Sequence, residues 1–97
     1  MTDLLLAVVV EMRDGAVAAG QRYEDAVLGL LGRHGGVLER RVRGLDGGTE
    51  VQIIRFAAPA GLEAFMADPD RLALRAAVGD GAPAARVVEV RDVHAAG

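Results

Sequence analysis

VLERRVRGLDGGTEVQIIRF, the stretch from Val37 to Phe56, holds two runs of period-two alternation, Val37–Arg43 and Thr49–Phe56, on either side of Leu45-Asp46-Gly47-Gly48. Asp and Gly at the joint supply the backbone conformations that a tight reversal needs, so the stretch reads as a β-hairpin. A loop of two or of four residues pairs odd positions with even ones. Leu38, Arg40, Val42, Val51, Ile53 and Arg55 then share one face, and Val37, Glu39, Arg41, Arg43, Glu50, Gln52, Ile54 and Phe56 the other. Arg43 stands opposite Glu50 as a cross-strand ion pair.

Upstream, Leu4 to Met12 is apolar in both phases of the alternation, the mark of a central strand covered on each side. Tyr23, Val27, Leu30 and Leu31 then fall at i, i+4, i+7 and i+8, one stripe of a helix over Ala16–His34 that Gly35 stops. Downstream, Pro59 opens a short helix carrying Leu62, Phe65 and Met66. Asp68 and Pro69 read as the N-cap and first residue of a second piece ending near Gly79. Past Pro83, Arg86 to Val93 is a last strand, and residues 94–97 a fraying tail. The order strand, helix, strand, strand, helix, strand predicts an α+β, ferredoxin-like βαββαβ domain. Four antiparallel strands carry two helices, the second broken, on one face, in a single domain whose core runs from about 4 to 93. Two helices cover only one sheet face, while the first strand is apolar on both. The bare face therefore calls for cover, and the same face of a second copy supplies it.

The composition excludes more than it offers. The 97 residues carry a net charge of −3 and contain no Cys, Ser, Lys, Asn or Trp, and all eleven basic residues are Arg. Thiol and serine nucleophiles, Schiff-base lysines, disulfides, CxxC metal sites and P-loops are absent with them. His34 and His94 are sixty residues apart with no clustered ligands, so neither a metal nor a haem is expected, and no GxGxxG context cradles a flavin or nicotinamide. Few aromatics and a negative charge speak against nucleic acid. Met1-Thr2-Asp3 lacks the positive charge of a secretory leader, and Leu4–Val10 is far shorter than the ~20 residues that span a bilayer. A cytoplasmic location and no membrane partner are expected.

The element order, Tyr23–Val37 with Arg33-His34-Gly35-Gly36, the hairpin, and the broken segment Leu62–Arg75 with Met66-Ala67-Asp68-Pro69-Asp70 together resemble a small uncharacterised family of bacterial dimeric α+β barrel proteins. The resemblance spans about Leu4 to Val93, on motifs that mostly serve folding. It implies kinship in fold with cofactor-independent antibiotic-biosynthesis monooxygenases, muconolactone isomerases and aromatic polyketide cyclases, which use a pocket between sheet and helices. The Trp and Asn that quinone-forming monooxygenases of this superfamily tend to use are missing here.

Four residues stand out as candidates. Tyr23, on the helical stripe, is either a core-edge tyrosine or a donor and proton relay lining a pocket. His34, eleven residues on, is about 16 Å further along a helix, too far for a dyad with Tyr23; it is either a helix-end cation or a general base. Arg40 and Arg55 are diagonal neighbours on an otherwise apolar sheet face. Either their heads reach solvent or a carboxylate such as Glu11 or Glu63, or they clamp an anionic ligand. Glu24-Asp25 reads as a solvated face. The function expected is binding of a small organic, anionic metabolite by a homodimer, with cofactor-independent proton transfer, isomerisation or cyclisation. The alternatives are a non-catalytic binding or regulatory module and a cofactor-independent monooxygenase. A pocket shared by Tyr23 and an arginine favours the enzyme; one filled by Leu and Val favours the module.

Overall fold

The computed structural model describes residues 3–94. Its sheet has four antiparallel strands, β1 (Leu4–Glu11), β2 (Gly36–Arg43), β3 (Thr49–Phe56) and β4 (Ala84–Glu89), in the order β2-β3-β1-β4. Helices α1 (Val17–Leu28), α2 (Pro59–Met66) and α3 (Pro69–Val78) lie on one face, which makes the chain the expected ferredoxin-like βαββαβ unit. β1 pairs with β3 on one side (Leu4↔Phe56 through Glu11↔Thr49) and with β4 on the other (Leu6↔Glu89 through Glu11↔Ala84). Its even positions Leu4, Leu6, Val8 and Val10 are buried under the helices with Leu31, Ile54, Phe56 and Phe65, and these side chains form the core. Its odd positions Leu5, Ala7 and Val9 lie half-buried on the far face, opposite Arg55, Ile53 and Val51.

The hairpin closes through the four-residue loop 45–48: the Gly44 amide donates to Thr49 O at 2.8 Å, and Gly47 takes a left-handed φ of 80°. From Arg43↔Glu50 to Arg40↔Ile53 the register is the expected one. A β-bulge between Leu38 and Arg40 then shifts it, so that Leu38 pairs with Ile54 and Val37 with Arg55. This corrects the faces read for three residues. Leu38 joins the helix side and packs on the core, Val37 moves to the outer face, and the Glu39 carboxylate follows it there to meet Arg55. One extra residue reverses the alternation, because side-chain direction has period two.

Two other boundaries differ. The first helix ends at Leu28 rather than His34: past it the bonding tightens to i→i+3, as from the Leu30 amide to Val27 O, and the chain continues as a 3-10 turn, Leu31–His34, closed by Gly35 at φ 71°. The stripe still buries Tyr23, Val27 and Leu31. The last strand is Ala84–Glu89, not Arg86–Val93: its pairing with β1 ends at Leu6↔Glu89, followed by one bond from the Val90 amide to the Leu5 carbonyl. Of the expected tail, residues 95–97 lie outside the described residues. The second helix is broken as expected. The Asp68 side chain accepts from the Asp70 amide at 2.8 Å, and Pro69 occupies the first turn of α3. Among the described residues no helix is long and apolar enough to cross a membrane.

The molecule is a slab of 44 × 33 × 16 Å with a radius of gyration of 14.0 Å, against about 12.5 Å for a compact chain of this length. One layer of helices on one sheet accounts for that excess.

Candidate functional site

Between the helices and the sheet lies a cavity of about 680 Å³, within the range of small-molecule pockets. Its floor is Leu6, Val8, Val10, Ile54 and Phe56, and Leu62, Phe65 and Met66 of α2 close one end. No helix lies over Ala85 and Val87 of β4, which line the cavity yet remain exposed. The polar groups come from two helices, one strand and the segment after β1: Tyr23 and Glu24 of α1, Arg71 and Arg75 of α3, Gln52 of β3, and Arg13. One turn separates Tyr23 from Val27 on α1, and one turn separates Arg71 from Arg75 on α3, so each helix presents a single inward stripe.

Two of the residues that line this cavity carry an anomalous polar atom. The Tyr23 hydroxyl and the Arg71 Nε are buried and have no hydrogen-bond partner among the described residues. Such groups ordinarily find one. Arg71 lies over the Phe65 ring, 5.4 Å from its centroid, and among the described residues its side chain makes only one hydrogen bond, a long one of 3.4 Å from Nη1 to Met66 O.

The third feature is a pair of buried carboxylates joined by one amide. The Gln52 Nε2 donates to Glu24 Oε1 at 2.7 Å and to Glu50 Oε1 at 2.9 Å, with all three residues buried. Both protons of that amide are therefore committed, which fixes its orientation. Burial alone would raise Glu50, but hydrogen bonds from Arg41, Gln52 and Arg43 outweigh it and hold the carboxyl below its ordinary range. Glu24 goes the other way. Burial pushes it up, the neighbouring Glu50 charge adds to the push, and the hydrogen bond from Gln52 and the more distant Arg41 and Arg71 only partly oppose it. Glu24 is thus no solvated residue, as the sequence suggested, and Arg43–Glu50 is more than an isolated surface pair: it anchors a chain of contacts that reaches the cavity.

Of the four residues singled out from sequence, Tyr23 alone lines the cavity. His34 ends the 3-10 turn behind Phe65, with its Nε2 2.7 Å from Asp68 Oδ2 and its ring edge against Phe65 at 6.2 Å. That contact, with support from the Asp70 amide and Arg33, holds the Asp68 carboxyl down to about 2. Arg40 and Arg55 are on the outer sheet face, away from the cavity. Arg55 is held there by Glu39 and Asp3 at 2.8 and 3.3 Å, rather than by Glu11 or Glu63. Among the described residues no cluster of His, Cys, Asp or Glu could hold a metal ion. The sequence reading missed Arg71, Glu24 and Gln52. The signal for Gln52 was in the hairpin itself, where Glu50 and Gln52 share a face with Ile54 and Phe56.

No family model matches the chain, and no curated protein does. Solved structures match over nearly its whole length. SnoaB, a cofactor-independent oxygenase from Streptomyces nogalater, superposes with a TM-score of 0.77 at 14% identity, covering 98% of this chain and 97% of that one. A Bacteroides thetaiotaomicron protein grouped by name with the antibiotic-biosynthesis monooxygenases gives a TM-score of 0.80 at 9% identity, over 96% and 91%. The NE2512 protein of unknown function from Nitrosomonas europaea is 25% identical with a TM-score of 0.61, over 100% and 97%. The chain shares its fold with SnoaB and with proteins named as antibiotic-biosynthesis monooxygenases.

Proposed function

We propose that the protein is a homodimeric barrel whose cavity binds a small organic anion and moves a proton on it without a cofactor, in an isomerase- or cyclase-type reaction. The observation that carries this reading is the pair of unpartnered buried donors, Tyr23 Oη and Arg71 Nε, on two residues that line one largely apolar cavity. A ligand with an apolar body and an oxygen anion satisfies both, and an oxygen that gains charge during reaction is stabilised most. The dimer follows from the outer face, where Leu5, Ala7, Val9, Val37, Val42, Val51, Ile53 and Val88 form an apolar field with Arg40, Arg55 and Arg86 among them. Covering it with a second copy supplies the missing layer.

The test is a thermal-shift screen of small aromatic and aliphatic carboxylates against their uncharged amides. Carboxylates should stabilise the protein and amides should not, and Arg71→Ala should weaken carboxylate binding roughly 10- to 100-fold. Equal shifts for acids and amides would overturn the reading. Bound carbon acids are then followed by NMR for proton exchange with D₂O. A second reading, a cofactor-independent oxygenase, draws on the likeness in fold to SnoaB; oxygen consumption with an electron-rich phenol, and no deuterium exchange, would favour it.

A further inference from the structure

We infer that the cavity takes up its organic anion together with one proton, and that Glu24 is the residue that holds it: the anion lies against Arg71 and Tyr23, and the neutral Glu24 carboxyl faces it as a donor. This rests on the reading of the cavity as an anion site and adds what accompanies the anion.

Geometry carries the inference. Glu24 and Arg71 line the same cavity, yet no ion pair joins them among the described residues, and Arg71 keeps its Nε free. Among the described residues the only hydrogen bond to the Glu24 side chain comes from Gln52, whose second amide proton is held by Glu50. Glu50 in turn has Arg41 and Arg43 at its two oxygens and stays anionic. Two carboxylates thus share one amide in opposite environments, one neutralised by two guanidinium groups and the other in an apolar cavity. Such an arrangement separates the group that keeps its charge from the group that carries a proton.

The charged and titratable groups facing Glu24 are Tyr23 and Asp25 on its own helix, Glu50 on β3, Arg41 and Arg43 on β2, Arg71 and Arg75 on α3, and Arg13 after β1. The arginines of β2 are already engaged by Glu50 and Asp25. Arg71 is the cation that a ligand changes. An anion seated on Arg71 cancels its stabilisation of the Glu24 carboxylate and adds a negative charge beside it, so Glu24 binds its proton more firmly. By reciprocity a protonated Glu24 binds the anion more tightly.

The probe is naphthalene-1-sulfonate, which stays anionic at every pH used, with naphthalene-1-sulfonamide as its uncharged counterpart. Calorimetric titrations run between roughly pH 5 and pH 8, each in two buffers of different ionisation enthalpy. Sulfonate affinity should fall as pH rises, by at most about tenfold per pH unit, while the heat shows up to one proton taken up per sulfonate bound. Sulfonamide affinity should be flat. In Glu24→Gln, an isostere whose carbonyl still accepts from Gln52, sulfonate affinity should be flat across the range with no proton uptake. Sulfonate binding in preference to sulfonamide but without proton uptake overturns the role of Glu24. So does uptake that persists in Glu24→Gln. The wild-type proton count decides the first point even if that variant folds poorly. Absence of sulfonate binding, or no preference for it over the sulfonamide, overturns the anion site and the inference with it.

Discussion

Asp68 shows how much one side chain can fasten. It caps α3 through the Asp70 amide, receives His34 from the end of the 3-10 turn, and stands 3.4 Å from Arg33. Since α3 carries Arg71, this carboxylate fixes one wall of the cavity from behind. Asp68→Asn keeps a capping oxygen and loses the charge; Asp68→Ala loses both and should lower Tm by several degrees more. The carboxyl sits at about 2 in the folded chain against 3.8 ordinarily, so its contribution is complete above pH ~4 and disappears as pH falls through about 2. Acid unfolding of Asp68→Asn should therefore lack that part of the wild-type slope, as read by circular dichroism. The cap was legible from Asp68-Pro69. The partner His34 was not, because thirty-four positions separate the two, and no local spacing reports a contact of that range. Tyr23 was placed by the helical stripe alone. Glu24 was misread because its burial depends on Gln52, which a separate element brings over it.

At the scale of elements, the hairpin strands and the helix break were readable from alternation and from Pro and Gly. The bulge at Glu39 and the end of α1 at Leu28 were not: the first is a single-residue event set by strand pairing, the second a change from one helical bonding pattern to another with no break in direction. One contact between elements depends on having no side chain. A Cβ on Gly61 of α2 would collide with the His34 carbonyl and press on Phe56 at 3.1 Å. Gly61→Ala should thus lift α2 off the 3-10 turn and cost roughly 1–3 kcal/mol in urea unfolding. Gly32→Ala, where a Cβ meets open space, should be neutral or slightly stabilising. Equal effects for the two would disprove the close approach.

At the scale of the molecule, the slab shape and the apolar outer face make association the central expectation. Light scattering at micromolar concentration should give twice the chain mass, and Tm should rise with protein concentration. A charge at the middle of the face, Ile53→Arg opposite Ala7, should shift the mass to that of one chain. A wild-type monomer would remove the dimer from the proposal and leave the cavity untouched. The bare face was foreseeable by counting helices against sheet faces; the cavity depended on how far the helices stand off the sheet, which no sequence pattern records.

The place of β1 in the sheet also sets an order in time. The most apolar strand of the chain lies between two partners that begin only at Thr49 and Ala84. At about 5–20 residues per second, a ribosome finishes β1 roughly 4–15 s before it reaches the first residue of β4. During that interval the strand has an unpaired edge and no complete sheet around it, the condition under which nascent chains stick to one another or to chaperones. The segment that holds the finished sheet together is thus the first one made and the last one enclosed.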